Sequence, residues 1–229
     1  MSAGVGRFIV LEGIDGSGST TQTRRLAASL GEAGHAVLTT CQPSSGPVGT
    51  LIRSVLRGEL LGPASSAGAG APRPFQWSTL ALLFAADRLD HLTNEVEPAL
   101  RAGQVVLCDR YDLSSLTYQS LTAPDRASGS VSRADETVQW IRALNREARR
   151  PDLTLVLDVS AEVAEARRQA RGGAEELYER RELQARLAER YLQAEALVPG
   201  DPLVHIAADA EEQVVARAVR EAVRDALGI

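Results

Sequence analysis

The sequence predicts an α/β fold: a five-stranded parallel sheet with helices on both faces. Short apolar runs recur at 8–11, 36–40, 105–108, 153–157 and 203–206, each of strand length. Stretches with apolar residues at helical spacing separate them, which is the pattern of βα units and a parallel sheet. The first run opens onto a glycine-rich turn that leads straight into a helix.

In that turn Gly13, Gly16 and Gly18 let the backbone fold tightly, so that successive N–H groups can converge on an anion. Ser19, Thr20 and Thr21 open a helix over about 19–33, with Leu26, Ala27 and Leu30 on one face. The helix N-terminus adds partial positive charge to the same place. The usual signature of a phosphate-binding loop is G-x-x-x-x-G-K-[ST]. Gly13, Gly18 and Thr20 match it, while Ser19 stands at the lysine position.

Past a turn at Gly34 and His35 the second strand spans 36–40. Residues 43–47 break the chain at two prolines, and a helix restarts over 51–56. From 62 to 74 the composition shifts to Gly, Ala, Ser and Pro without periodicity; this reads as a mobile surface loop, not a domain boundary. One long helix is expected over about 76–101, then a third strand ending on Asp109-Arg110-Tyr111. A polar helix follows at 113–121, a loop at 123–132, and a helix over 136–149 with Val138, Ile141 and Leu144 at helical spacing.

The fourth strand ends on Asp158, and Ser160 with Glu162 reads as a cap and helix start. The helix over 161–171 carries Arg167, Arg168 and Arg171. Gly172 and Gly173 interrupt, a second arginine-bearing helix runs to about 197, and an amphipathic helix over about 210–227 follows the fifth strand. There is no internal repeat, so residues 1–229 are expected to form a single domain. Ligands of such sheets bind beyond the carboxyl ends of the strands. Glu12-Gly13, Asp109-Arg110 and Asp158 occupy three such ends.

The chain's 229 residues, 44% hydrophobic, supply a sizeable core. Net charge is −5, so the surface as a whole is no trap for nucleic acid or acidic lipid, and phosphate must be held locally. Every basic residue is arginine; lysine is absent. Cys41 and Cys108 suggest neither a disulfide framework nor a metal site. No apolar run approaches membrane-spanning length and the N-terminus lacks a secretory pattern, so a cytoplasmic protein with no membrane or nucleic-acid partner is expected.

Taken in order, four stretches resemble the thymidylate kinase family, P-loop enzymes that phosphorylate dTMP to dTDP with ATP. They are Leu11-Glu-Gly-Ile-Asp-Gly-Ser-Gly18 with Thr20-Thr-Gln22; Leu82-Leu-Phe-Ala-Ala-Asp-Arg88; Cys108-Asp-Arg-Tyr111 with Ser114-Ser-Leu-Thr-Tyr-Gln119; and Pro151-Asp-Leu-Thr-Leu-Val-Leu-Asp158. The resemblance implies a P-loop NTPase three-layer sandwich, a homodimer packed through helices, ATP and dTMP as substrates, and Mg2+ with the ATP.

Residue by residue, the resemblance implies that Gly13, Gly16, Ser17, Gly18, Ser19, Thr20 and Thr21 form the ATP phosphate site, with Thr20 and Asp109 at the metal. It implies contact of Asp15 with the deoxyribose 3′-hydroxyl, stacking of Phe84 on thymine and pairing of Arg88 with its edge. Phe84 and Arg88 share a helix face, and Phe84 fits a core stripe with Leu80 as well. Arg110 would bridge the phosphoryl groups, its planar fork suited to phosphate, while Ser115, Tyr118 and Gln119 surround base and sugar. The lid falls at about 167–181, and because position 16 is glycine, Arg168 and Arg171 are the expected catalytic arginines beside Arg110 and Asp109.

The chain departs from the family pattern at Ser19, at Cys41-Gln42-Pro43 in place of Arg-Glu-Pro, after Gln119, and at Glu176-Leu-Tyr-Glu179. Two alternatives therefore stand beside dTMP phosphorylation: a catalytically impaired nucleotide-binding relative with a regulatory or interaction role, and a kinase of a different nucleotide.

Overall fold

The computed structural model describes residues 6–62, 73–123, 132–172, 177–178 and 181–229. The sheet has strand order β2-β3-β1-β4-β5 and every pairing is parallel. The strands are β1 (Arg7–Glu12), β2 (Val37–Cys41), β3 (Val105–Asp109), β4 (Leu153–Asp158) and β5 (Leu203–Ala207). Each of the five expected strands is present, shifted by at most one residue at either end.

β1 is central because it is apolar on both faces. Ile9 and Leu11 join Leu26 and Leu30 of α1 (Ser19–Glu32) in one core, while Phe8 and Val10 join Val96 and Leu100 in a second. Both cores depend on the period-two alternation of a strand. The register pairs Leu11 with Asp109, so Glu12, Asp109 and the turn after β1 emerge at one edge of the sheet. α1 packs against α10 (Glu212–Leu227) and the strands between them; α5 (Asp112–Thr122) and α8 (Arg181–Tyr191) pack together elsewhere in the larger core.

Helix boundaries depart from expectation in three places. α2 spans Pro47–Leu56 and starts four residues early, because Pro47 is pre-set for the first helical turn. The single helix expected over 76–101 is α3 (Trp77–His91), a π-helical turn Leu92–Val96, and α4 (Glu97–Arg101). Pro98 explains the break: it lacks an N–H and its ring crowds the preceding turn, which a π-turn accommodates. α6 (Ser132–Leu144) stops short of 149, where the Asn145 side chain donates to the Ile141 carbonyl at 2.8 Å. α7 (Ala161–Arg171) matches, and the arginine-bearing stretch beyond it divides into α8 and α9 (Ala194–Leu197).

Of the loop expected over 62–74, residues 63–72 lie outside the described residues, as do 124–131 of the second loop and Gly173, Glu176 and Glu179 of the lid. Gly62 and Arg73 form an antiparallel bridge. Among the described residues no helix is long and apolar enough to cross a membrane.

Candidate active site

The glycine turn after β1 adopts the conformation that its composition permits. Gly16 has φ 92° and Gly18 φ 95°, values that side-chain-bearing residues rarely take. A Cβ at Gly16 would meet the Ala164 carbonyl oxygen at 2.4 Å, so this glycine also lets α7 approach the loop. Gly18 precedes α1, whose N-terminus has no side-chain cap. Its first N–H groups are therefore free for an anionic ligand.

The end of β3 contributes the main cation. Arg110 sits at φ 71°, in the left-handed region. The fully buried Glu12 braces this turn: one carboxylate oxygen accepts from the Tyr111 and Ser114 N–H groups at 2.7 and 3.1 Å. The other accepts from the Ser114 and Tyr191 hydroxyls at 2.6 and 3.0 Å. Burial pushes the Glu12 carboxyl above its ordinary range, opposed by these hydrogen bonds and by the charge of Arg110.

Held in this way, the Arg110 guanidinium donates to Asp15 at 2.6 Å, the Gly13 carbonyl at 3.0 Å and the Tyr118 hydroxyl at 3.1 Å. Its carbon lies 5.3 Å from the centre of the Tyr118 ring. The Tyr118 hydroxyl in turn donates to Asp15 at 3.3 Å. Burial holds the Tyr118 phenol protonated well beyond neutral pH.

Two clefts meet at this cluster. A 620 Å³ cleft runs over the glycine loop and the start of α1, and is lined by Gly16, Ser17, Gly18, Ser19, Thr20 and Thr21. Its arginines are Arg110, Arg167 and Arg171. A 150 Å³ cleft on the other side is lined by Phe84, Ser115, Tyr118, Gln119, Tyr178 and Gln42, among others. Asp15 and Arg110 line both. One cavity built of backbone N–H groups and arginines thus shares a wall with a smaller aromatic and amide-lined cavity.

The Thr20 hydroxyl donates to Asp109 Oδ2 at 2.5 Å, and Asp109 Oδ1 is buried with no hydrogen-bond partner. A hydroxyl beside an unmatched carboxylate oxygen is a donor set that fits a hard divalent cation. Mg2+ needs only one or two such protein ligands alongside phosphate oxygens.

A thymidylate kinase family model matches residues 11–218 of the chain. The probable thymidylate kinase of Pyrococcus horikoshii is 36% identical over 207 residues, covering 90% of this chain and 91% of its own length. The thymidylate kinase of Ruegeria pomeroyi is 41% identical over 180 residues, 77% of this chain and 74% of its own. That of Thermomicrobium roseum is 42% identical over 167 residues, 71% and 68% respectively. This chain belongs to the thymidylate kinase family.

Against the family expectation, the placement of the residues is mostly direct. Gly13 alone of the expected ATP-site residues does not line the larger cleft; its carbonyl instead accepts from Arg110. Arg88 is fully buried behind the smaller cleft. It donates to the Gln42 and Ser115 side chains and the Tyr111 carbonyl at 3.0, 3.1 and 3.0 Å, and also to Asn145. Ser115 and Gln42 therefore stand between Arg88 and the cavity, and Arg88 orients both.

The lid arginines divide. Arg168 donates to the Asp15 carbonyl at 2.5 Å and does not line the larger cleft, whereas Arg171 lines it. Arg167 also lines it, donating to the carbonyls of Ser17, Ala208 and Ala210 at 3.3, 2.9 and 3.3 Å. Sequence reasoning passed over Glu12, Gln42, Tyr178 and Gln184. Gln42 was visible as a departure from the family pattern; the other three carry no local signal, because their partners are far away in the chain.

Proposed function

We propose that this protein transfers the terminal phosphoryl group of ATP to the 5′-phosphate of dTMP, giving dTDP and ADP. The observation that carries this is the pair of clefts sharing Asp15 and Arg110: a phosphate-cradling loop on one side and an aromatic, amide-lined pocket of nucleobase character on the other. The family supplies the identity of donor and acceptor.

In this reading the loop N–H groups and the α1 N-terminus hold the ATP phosphates through Gly16 to Thr21. The acceptor phosphate is already anionic, so no side-chain base is required. Catalysis then consists of alignment and charge stabilisation. Arg110, poised between the clefts, meets the moving phosphoryl group, with Arg171 from α7 on the donor side and Arg168 tying α7 to the loop beneath it. Thr20 and Asp109 would hold Mg2+, which supplies charge neutralisation on the phosphate oxygens.

Phe84, Tyr118 and Gln119 receive the thymine and sugar in this reading, Asp15 takes the 3′-hydroxyl, and Arg88 acts on the base edge through Ser115 and Gln42. We read residues 1–229 as one cytoplasmic domain with a lid at about 167–181, acting as a homodimer. Leu82 and Leu89, seven apart on α3 and both exposed, support a helix-packed pair.

Steady-state ADP release with dTMP and MgATP tests the proposal. Turnover dependent on both nucleotides is expected. ATP binding with no phosphorylation of dTMP would refute it.

A further inference from the structure

One buried polar side chain next to the acceptor cleft has no part in the reaction as described above. Gln184 of α8 has no solvent exposure. Its Nε2 donates to Asp15 Oδ2 at 3.0 Å and to the Tyr178 carbonyl at 2.7 Å. Both partners are acceptors, so the amide has one orientation; flipped, its own oxygen would face two others. That oxygen, Oε1, is buried and makes no hydrogen bond. An apolar side chain of similar size would fill the space without an unmatched carbonyl, so packing alone does not account for glutamine here.

Tyr178 connects this amide to the cleft. Its ring meets the Tyr118 ring edge-on at 5.3 Å, and both rings line the smaller cavity. The neighbouring Leu177 N–H donates to the Leu56 carbonyl at 3.1 Å, and Leu56 lines the same cavity. The 177–178 turn is therefore a wall of the acceptor cleft, and Gln184 fastens that wall to Asp15.

We propose that Gln184 is a positioning residue for the acceptor. It fixes the Asp15 carboxylate and the 177–178 turn in one arrangement, so that the acceptor sugar meets a preformed site. The inference rests on the kinase reading given above. Without the Gln184 donor, Asp15 Oδ2 keeps only the Tyr118 hydroxyl while Oδ1 stays on Arg110. The carboxylate can then rotate and the wall can shift. Acceptor affinity falls, while donor affinity holds, because Gln184 does not line the donor cleft.

The test compares the full chain with Gln184→Met and Gln184→Glu, using initial rates over dTMP and ATP together with dTMP titration calorimetry. For Gln184→Met, KM and Kd for dTMP should rise about tenfold, the loss of one hydrogen bond to a charged group. KM for ATP and the melting temperature should not fall behind the parent's. Gln184→Glu should show the same loss at neutral pH and recover on acidification, when the new carboxyl shares a proton with Asp15 and regains a donor.

A dTMP KM and Kd within about twofold of the parent's would overturn the proposal. So would an equal rise in the KM for ATP, or a loss that tracks melting temperature in both variants. A parent that binds dTMP in a Gln184-dependent way without phosphorylating it would leave the positioning intact and refute the kinase reading. A parent that neither binds nor phosphorylates dTMP would refute both.

Discussion

Arg110 Nη2 lies 2.6 Å from Asp15 Oδ1, and this ion pair forms the wall common to the donor and acceptor clefts. Burial works against the Arg110 charge, but Tyr118 and Asp15 outweigh it and hold the guanidinium protonated. Its other nitrogen is committed to the Gly13 carbonyl and the Tyr118 hydroxyl, so the planar fork is locked in direction. Arg110→Lys keeps the charge and loses the fork. We expect kcat to fall by about 10²–10³, the cost of removing one aimed donor, with ATP affinity little changed. Steady-state kinetics against both nucleotides measure this; a loss confined to ATP binding would place Arg110 with the donor alone.

Ser19 leaves the loop without its usual lysine, yet three arginines line the same cleft. Arg167 is the most telling, because its hydrogen bonds from the guanidinium run to backbone carbonyls, which leave its charge in place. Backbone N–H groups and the helix end survive the substitution. Ser19→Lys should therefore raise turnover by less than about tenfold, well short of the 10²–10³ that one aimed donor is worth. A gain of the full size would mean that the arginines do not compensate. Parallel assays of ADP release by the two proteins decide it.

Thr20 and Asp109 come from the start of α1 and the end of β3, and their 2.5 Å contact exists without a metal between them. Thr20→Val keeps the side-chain shape and removes the hydroxyl. The Mg2+ concentration for half-maximal activity should rise about tenfold, the equivalent of roughly 1.4 kcal/mol. KM for dTMP should stay within about twofold, because Thr20 does not line the acceptor cleft. A magnesium titration at saturating nucleotides checks both.

Much of this fold was legible because its signals are local. The five strands are short apolar runs between helical stretches, and the structure places each within one residue of expectation. Gly16 and Gly18 announced a tight turn, although that α7 rests against Gly16 depends on contacts about 150 residues apart in the chain and leaves no local trace. The helical spacing of Phe84 and Arg88 put both on one face, and Phe84 does line the acceptor cleft. Arg88 turns instead to Gln42 and Asn145, more than forty residues away in either direction, and no periodicity reports such a partner. The run of arginines on α7 was visible, but which of them reaches the loop is set by helix rotation against β5 and the glycine turn. Pro98 was in plain view within a helical pattern, and the π-turn before it is the cost of keeping that pattern going.

Glu12 gives the clearest pH signature. It is fully buried, and burial raises its carboxyl above the ordinary value of 4.5 despite four hydrogen bonds. The native state therefore holds this proton more tightly than the unfolded chain does. The resulting stability is present below 4.5 and is lost as pH rises through the native value. Glu12→Gln removes that loss: the amide oxygen can accept from the Tyr111 and Ser114 N–H groups, and the amide nitrogen can donate to the Ser114 and Tyr191 hydroxyls once these rotate. Each unit by which the native value exceeds the ordinary one shifts the parent–variant difference by about 1.4 kcal/mol. Denaturant unfolding near pH 5 and near pH 8 should show the parent losing ground to the variant on going to alkaline pH. If the parent instead gains stability over the variant as pH rises, the Glu12 carboxylate is favoured in its charged form, and the four hydrogen bonds outweigh its burial.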